Sequence, residues 1–347
     1  MQLQQVQALR RLAGPRIERL SADIRFTPFL HLLPNLRQVD LQTGDFARCA
    51  IRSFFDIGSM VVLTSLHTLS LQGGQFLLEH SNKLTQLRFL SLTDFHLHTE
   101  GGGPFCCLPG LLTRLDMTSV GDDSDMPYEG AYPVSPLRHF EGQLRSLTLG
   151  AADMEVLGDD PAKLSRLACL QQLTHLHFSL LCDELNQVMC SELNFPQLQS
   201  LHAEFESWPD GPYPCWQLGG CPELHSLTLM YSDASDSSQR AVDLQDIHGS
   251  RASSLHLALD LPEHVKACAA FDTWRLETVS IEYHDPASGD DELMRMQWPR
   301  SQSVMGILGC LACYVPMGNV TVNHERVSDR AVKPRFCTEQ QSCNASL

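Results

Sequence analysis

The chain has 347 residues and a formal net charge of −16, a balance that argues against the sequence-independent phosphate attraction used by nucleic-acid binders and makes a basic protein the easier partner. Its thirteen cysteines, odd in number and without a regular framework, are expected to be reduced thiols. No signal-peptide apolar core is visible at the N-terminus, and the longest apolar stretch, Val304 to Val315, is too short to span a bilayer. A cytoplasmic protein with no membrane partner is expected, with the nucleus or the cytoskeleton and cilium as alternative locations.

In chain order, residues 1–16 are expected to form an N-terminal cap. From Ile17 a six-residue pattern, L-x-x-L-x-L with apolar substitutes, begins to recur: LRQVDL, LHTLSL, LRFLSL, LRSLTL and LHSLTL are its clearest copies. Copies start at Ile17, Leu36, Leu66, Leu87, Leu112, Leu144, Leu173, Leu198, Leu224, Ala252 and Leu276, at spacings of 19 to 32 residues. Such a period marks a stack of similar coils with connections of unequal length. Because strand side chains alternate between faces, Leu69 and Leu71 are expected to point inward and Thr68 and Ser70 outward. One such strand buries too little surface to offset its ordering entropy, so the copies must stack into a continuous apolar spine.

Several copies are preceded by LPNL (33–36), FPQL (195–198) or CPEL (221–224), or by the proline-free LTSL, LTQL and LQQL. Proline, with a fixed φ and no N–H, predicts a turn that stops the preceding segment and favours an extended neighbour. The segments LLEHSNKL and Asp183 to Ser191 look helical. The expected fold is therefore an α/β leucine-rich-repeat solenoid, a curved horseshoe with parallel strands on the concave face and short helices or irregular segments on the convex face. Residues 17–285 would hold about ten to eleven irregular repeats in one elongated unit, and residues 286–347 a degenerate C-terminal cap and mobile tail, with Leu308, Leu311 and Cys313 marking a last coil.

Two outward slots per copy define the concave face, which reads as polar and hydroxyl-rich. Superimposed on it are arginines in the N-terminal half and histidines near the middle. The candidate protein-binding residues are Arg37, Asp40, Arg88, Phe89, Arg114, Asp116, Arg145, His175, His177, His202 and His256. Histidines on adjacent rungs should lie about 5 Å apart, close enough to share a ligand. With no carboxylate or cysteine at the neighbouring outward slots, His177 and His202 are expected to be ordinary polar strand residues, and no metal is assigned to them.

Two connections are long. Residues 121–136 carry Asp123 and Asp125 at calcium-loop spacing but lack the glycine and glutamate such a loop needs, which predicts a solvated loop. Residues 206–222 contain Trp208 and Trp216, which either anchor a partner or cover the gap between coils. Cys310 and Cys313 form a lone C-x-x-C without a second pair at zinc-finger distance, so no zinc site is expected there. Asn319-Val-Thr and Asn344-Ala-Ser read as chance glycosylation tripeptides. Phosphate-cradling, dinucleotide, nucleophile-elbow and H-E-x-x-H motifs are all missing, which predicts no enzymatic activity and no cofactor.

The CPELHSLTL stretch at 221–229, with a period near 26, resembles the cysteine-containing leucine-rich repeats of F-box proteins and their plant and algal relatives. The likeness covers about residues 17 to 283, although Gly44, Gly74, Phe95, Val120 and Ser232 stand where that family has cysteine or asparagine. The resemblance implies a protein-interaction scaffold that recognises substrates for a ubiquitin ligase. Residues 1–16 are too short for the three-helix F-box, so the adaptor-binding module is expected either on another polypeptide or in a portion of the gene outside this sequence. A structural role in a cytoskeletal or ciliary assembly is the alternative.

Overall fold

Period-two alternation makes each copy a strand, and the register between copies decides whether the leucines meet. The computed structural model describes residues 16–42, 55–77, 81–98, 108–118, 140, 142–150, 167–181, 193–206, 216–232, 242–243, 247–248, 251–259, 265–266, 276–283, 319–322 and 325–326. By its contacts the chain divides into two units, Met1–Thr174 and His175–Leu347.

The first unit contains β1 (Arg19–Asp23), β2 (Gln38–Gln42), β3 (Phe55–Asp56), β4 (Thr68–Leu77), β5 (Phe89–His98), β6 (Arg114–Thr118) and β7 (Ser146–Leu149). The order β1-β2-β4-β5-β6-β7 is parallel throughout, with β3 pairing the far end of β4. Register never slips along the spine: Val39, Leu69, Leu90, Leu115 and Leu147 form one row, and Leu41, Leu71, Leu92, Met117 and Leu149 the next. All ten are buried. A one-residue slip would turn every one of them to the opposite face, so burial itself enforces the register.

In the second unit the ladder runs β8 (His175–Leu181), β9 (Ser200–Glu206), β11 (Ser226–Ser232), β14 (Ser254–Leu259), β16 (Thr278–Tyr283) and β17 (Val320–Val322), again all parallel. Four two-residue strands in the connections make two small sheets: β10 (Trp216–Gln217) pairs β13 (Ile247–His248), and β12 (Val242–Asp243) pairs β15 (Val265–Lys266). A final antiparallel strand, β18 (Glu325–Arg326), pairs β17. Phe178 and Ala203 face each other in register, both fully buried, so a large residue on one rung is accommodated by a small one on the next.

The fold is a leucine-rich-repeat solenoid. Its turns repeat as faithfully as its strands. Leu36, Leu66, Leu87, Leu173, Leu198 and Leu224 each donate an N–H to the carbonyl three residues earlier, at 3.0 to 3.2 Å. Pro34, Pro196 and Pro222 occupy the second position of that four-residue turn, where their fixed φ fits and no N–H is needed. Thr64, Thr85 and Gln171 take the same place without changing the geometry.

Among the described residues the connecting segments include 3-10 helices at Ile24–Leu32, Ile57–Val62 and Ser81–Lys83. Of LLEHSNKL, which looks helical, Leu77 ends β4 and Ser81–Lys83 form a 3-10 turn, while residues 78–80 lie outside the described residues. Asp183 to Ser191 lie outside the described residues. Strands β4 and β5 run for 10 residues each, through Gly74 and Phe95, which pair with each other. Gly73, at φ 71°, a conformation glycine adopts without a Cβ clash, lies between the two paired runs of β4. Leu308, Leu311 and Cys313, residues 286–303 and the loop 121–136 lie outside the described residues, and the rung following β16 is β17. No helix among the described residues is long and apolar enough to cross a membrane.

Candidate functional site

The face opposite the spine is built from the outward slots, and parallel register sorts them into rows. In the first unit the rows are Gln38, Thr68, Phe89, Arg114 and Ser146, then Asp40, Ser70, Ser91, Asp116 and Thr148. Arg114 and Asp116 are two residues apart on β6, so their side chains share a face. Arg114 Nε donates to Asp116 Oδ2 at 2.9 Å, and Thr148 Oγ1 on the next strand donates to Oδ1 at 3.1 Å. The Arg114 guanidinium also lies 4.8 Å from the Phe89 ring centre, within cation–π range. Asp40 accepts from Ser21 Oγ at 3.3 Å.

Arg37, Arg88 and Arg145 hold a different place. Each precedes the strand by one residue and is exposed, while its carbonyl accepts N–H bonds from the next coil: Arg37 from His67 and Thr68, Arg88 from Thr113 and Arg114, Arg145 from Thr174. Their backbones belong to the ladder, whereas Arg114 alone of the four sits in an outward slot of a strand.

The second unit carries three rows. Below His175, Ser200, Ser226, Ser254 and Thr278 runs His177, His202, Thr228, His256 and Ser280, and below that Ser179, Glu204, Met230, Ala258 and Glu282. His177 and His202 stack with ring centres 4.0 Å apart and planes inclined by 24°. Both turn Nε2 to one carboxylate oxygen, Glu204 Oε1, at 2.9 and 3.1 Å, while Ser179 Oγ donates to Oε2 at 2.8 Å. Because an ionised carboxylate only accepts, each Nε2 carries its proton here. Met230 Sδ also lies 3.1 Å from His202 Nε2.

These donors set the chemistry of Glu204. The hydrogen bond from His177, then that from His202, holds its carboxyl well below the usual carboxylate range; burial opposes them, while Ser179 and the charge of His177 add to the lowering. The same diagonal recurs more loosely three rungs on, where His256 Nε2 is 3.9 Å from Glu282 Oε2.

Glu204 corrects the expectation that no carboxylate stands at an outward slot beside the histidines. The six-residue pattern ends at Ala203, but β9 continues to Glu206, so a third outward slot exists on each long strand. The signal was present in sequence: Ser200, His202 and Glu204 alternate with Leu201, Ala203 and Phe205. Trp216 lies in β10, paired with Ile247, away from the ladder strands in sequence, and Trp208 lies outside the described residues.

No protein-family model matches the chain, and no curated protein matches it. Among solved structures it is similar to a TLR13–ssRNA13 complex at 14% identity and TM-score 0.40, over 80% of this chain and 40% of that one. It is also similar to the plant peptide hormone receptor RGFR1 in complex with RGF2, at 14% identity and TM-score 0.31, over 77% and 42%. The chain spans about two fifths of the length of these solved chains. This chain's own strand register and buried spine establish the repeat fold.

Proposed function

We propose that this chain is a non-enzymatic interaction scaffold that grips a protein partner through the outward rows of its ladder. The observation that carries this reading is the unbroken register of mostly polar, half-buried or exposed side chains above a buried spine, in each unit separately. Backbone bonds pin those side chains at the strand spacing of about 4.8 Å, so little ordering entropy is lost when a partner docks. The net charge of −16 favours a basic partner.

The finer reading, substrate recognition for a ubiquitin ligase, is supported by the resemblance of the CPELHSLTL repeat to F-box-associated repeats. Capture from the native cell tests both levels. Wild-type chain and a Val62→Ser variant, altered on an exposed 3-10 segment, are expected to retain the same partner, whereas Asp40→Ala, Arg114→Ala and His175→Ala lose it. Retention by all three ladder variants sinks the scaffold reading. Recovery of a cullin with its adaptor supports the ligase role; recovery of tubulin or dynein replaces it with a structural one.

A further inference from the structure

Three of the side chains in the second unit have the identity and placement of a metal-ligand set. We propose that His177, His202 and Glu204 form a binding site for a divalent first-row transition-metal ion, with zinc the best-fitting ion, on the ladder face between β8 and β9.

Geometry is the first support. The two Nε2 atoms and one carboxylate oxygen all lie within 4.8 Å of one another. The two Nε2-to-Oε1 separations, 2.9 and 3.1 Å, fall a few tenths of an ångström below the roughly 3.3 Å between ligands of a tetrahedral zinc with bonds of about 2.0–2.1 Å. A small outward rotation of either ring opens the set to the required distance. The ring stacking at 4.0 Å keeps the two nitrogens side by side, and the parallel pairing His177↔His202 and Ser179↔Glu204 fixes all three positions through the backbone.

Surroundings give the second. Ser179, itself buried, holds Oε2 at 2.8 Å and leaves Oε1 for the ion, the kind of outer hydrogen bond that orients a metal carboxylate. The side chains of His177, His202 and Glu204 remain 34%, 30% and 31% exposed, which leaves an approach path and a fourth position for water or a partner's side chain. Two imidazoles and one oxygen are the wrong donors for calcium or magnesium, which take six or more oxygens. Met230 Sδ, 3.1 Å from His202 Nε2, lies beside the set but is not required by it.

Binding is a proton exchange. Without metal, both Nε2–H groups donate to Glu204; as the ion takes each Nε2 lone pair, an imidazolium releases that proton to solvent and a neutral ring regains one at Nδ1, so each ring binds as a neutral imidazole and metal competes with protons for it. Affinity therefore rises with pH. The site is independent of any protein partner, so its failure and that of the scaffold reading are separable.

The test is calorimetric titration of the full chain with zinc chloride, paired with cobalt(II) absorption and nitrogen-15 spectra of the histidines. Because thiols compete for zinc and the chain has thirteen cysteines, the readout is a difference between variants. Wild type is expected to bind one more equivalent than His177→Gln/His202→Gln, or to bind that equivalent about 100-fold more tightly. Zinc should strip the Nε2 protons of His177 and His202, and cobalt should give a four-coordinate spectrum that the double variant lacks. Glu204→Gln, matched in size, is expected to weaken binding at least tenfold and carries the test if the double variant misfolds. Glu282→Gln, at the single-imidazole pair, should change nothing. Equal stoichiometry and affinity in wild type and both site variants, or Nε2 protons that persist at saturating zinc, would overturn the proposal.

Discussion

Because His177, His202 and Ser179 all donate to Glu204, protonating this one carboxyl weakens hydrogen bonds from three side chains at once. Its folded value lies below the ordinary 4.5, so its contribution to stability is fully present above pH 4.5 and fades as pH falls toward the lowered folded value. In chelator, the unfolding midpoint of wild type should exceed that of Glu204→Gln by a gap that is widest above about pH 5 and narrows below about pH 4.5. Urea denaturation at stepped pH measures it, and a gap that widened on acidification would contradict the pairing. Gly220 makes a different residue-level demand. A Cβ there would meet the Leu193 carbonyl oxygen and lie 2.8 Å from Asn194 Cα, whereas at Gly219 it would meet nothing. Gly220→Ala is expected to cost about 1–3 kcal/mol and Gly219→Ala under about 0.5, read from paired denaturation curves. Cys221, buried beside it with Sγ donating to Leu193 O at 3.4 Å, belongs to the same tight contact between coils. Burial pushes its thiol up, away from the reactive thiolate. The packing of a small thiol was readable from CPEL; the closeness of Gly220 to the preceding coil was not, because nothing in local sequence records that distance.

Each strand touches only its neighbours, so damage should stay local. Leu227 is buried on β11 between Leu201 and Leu255, and Leu227→Ala is expected to cost roughly 2–5 kcal/mol. Hydrogen exchange should quicken in β9, β11 and β14 and stay unchanged in β1, β2 and β4; uniform acceleration over the chain would argue for a single cooperative unit. Strand starts were legible because L-x-x-L-x-L is defined there, and every predicted inward leucine at Leu69, Leu90, Leu115 and Leu147 is buried in register. Strand ends were not. Past the pattern, β4, β5 and β9 continue because the neighbouring coil supplies partners for their backbone groups, and those partners sit far away in sequence. The third outward row, with Ser179, Glu204 and Met230, was hidden for that reason.

On the scale of the whole molecule, charge acts where contacts do not reach. For the basic partner proposed above, a net charge of −16 would steer approach to the chain, and screening shortens that reach to about 8 Å at about 0.15 M salt. Association should therefore slow several-fold between about 0.05 and about 0.5 M salt, with dissociation changing less, as measured by stopped-flow with the captured partner. A salt-independent on-rate would assign recognition to contacts alone. The sequence by itself determined the repeat, the direction of each apolar side chain and the two polar rows above the spine, because strand alternation is a local rule that burial enforces. Only the tertiary structure decided how far each strand runs, which diagonal neighbours meet, and that two histidines and a glutamate on adjacent rungs converge on one point, because those distances are set by pairing between coils more than twenty residues apart.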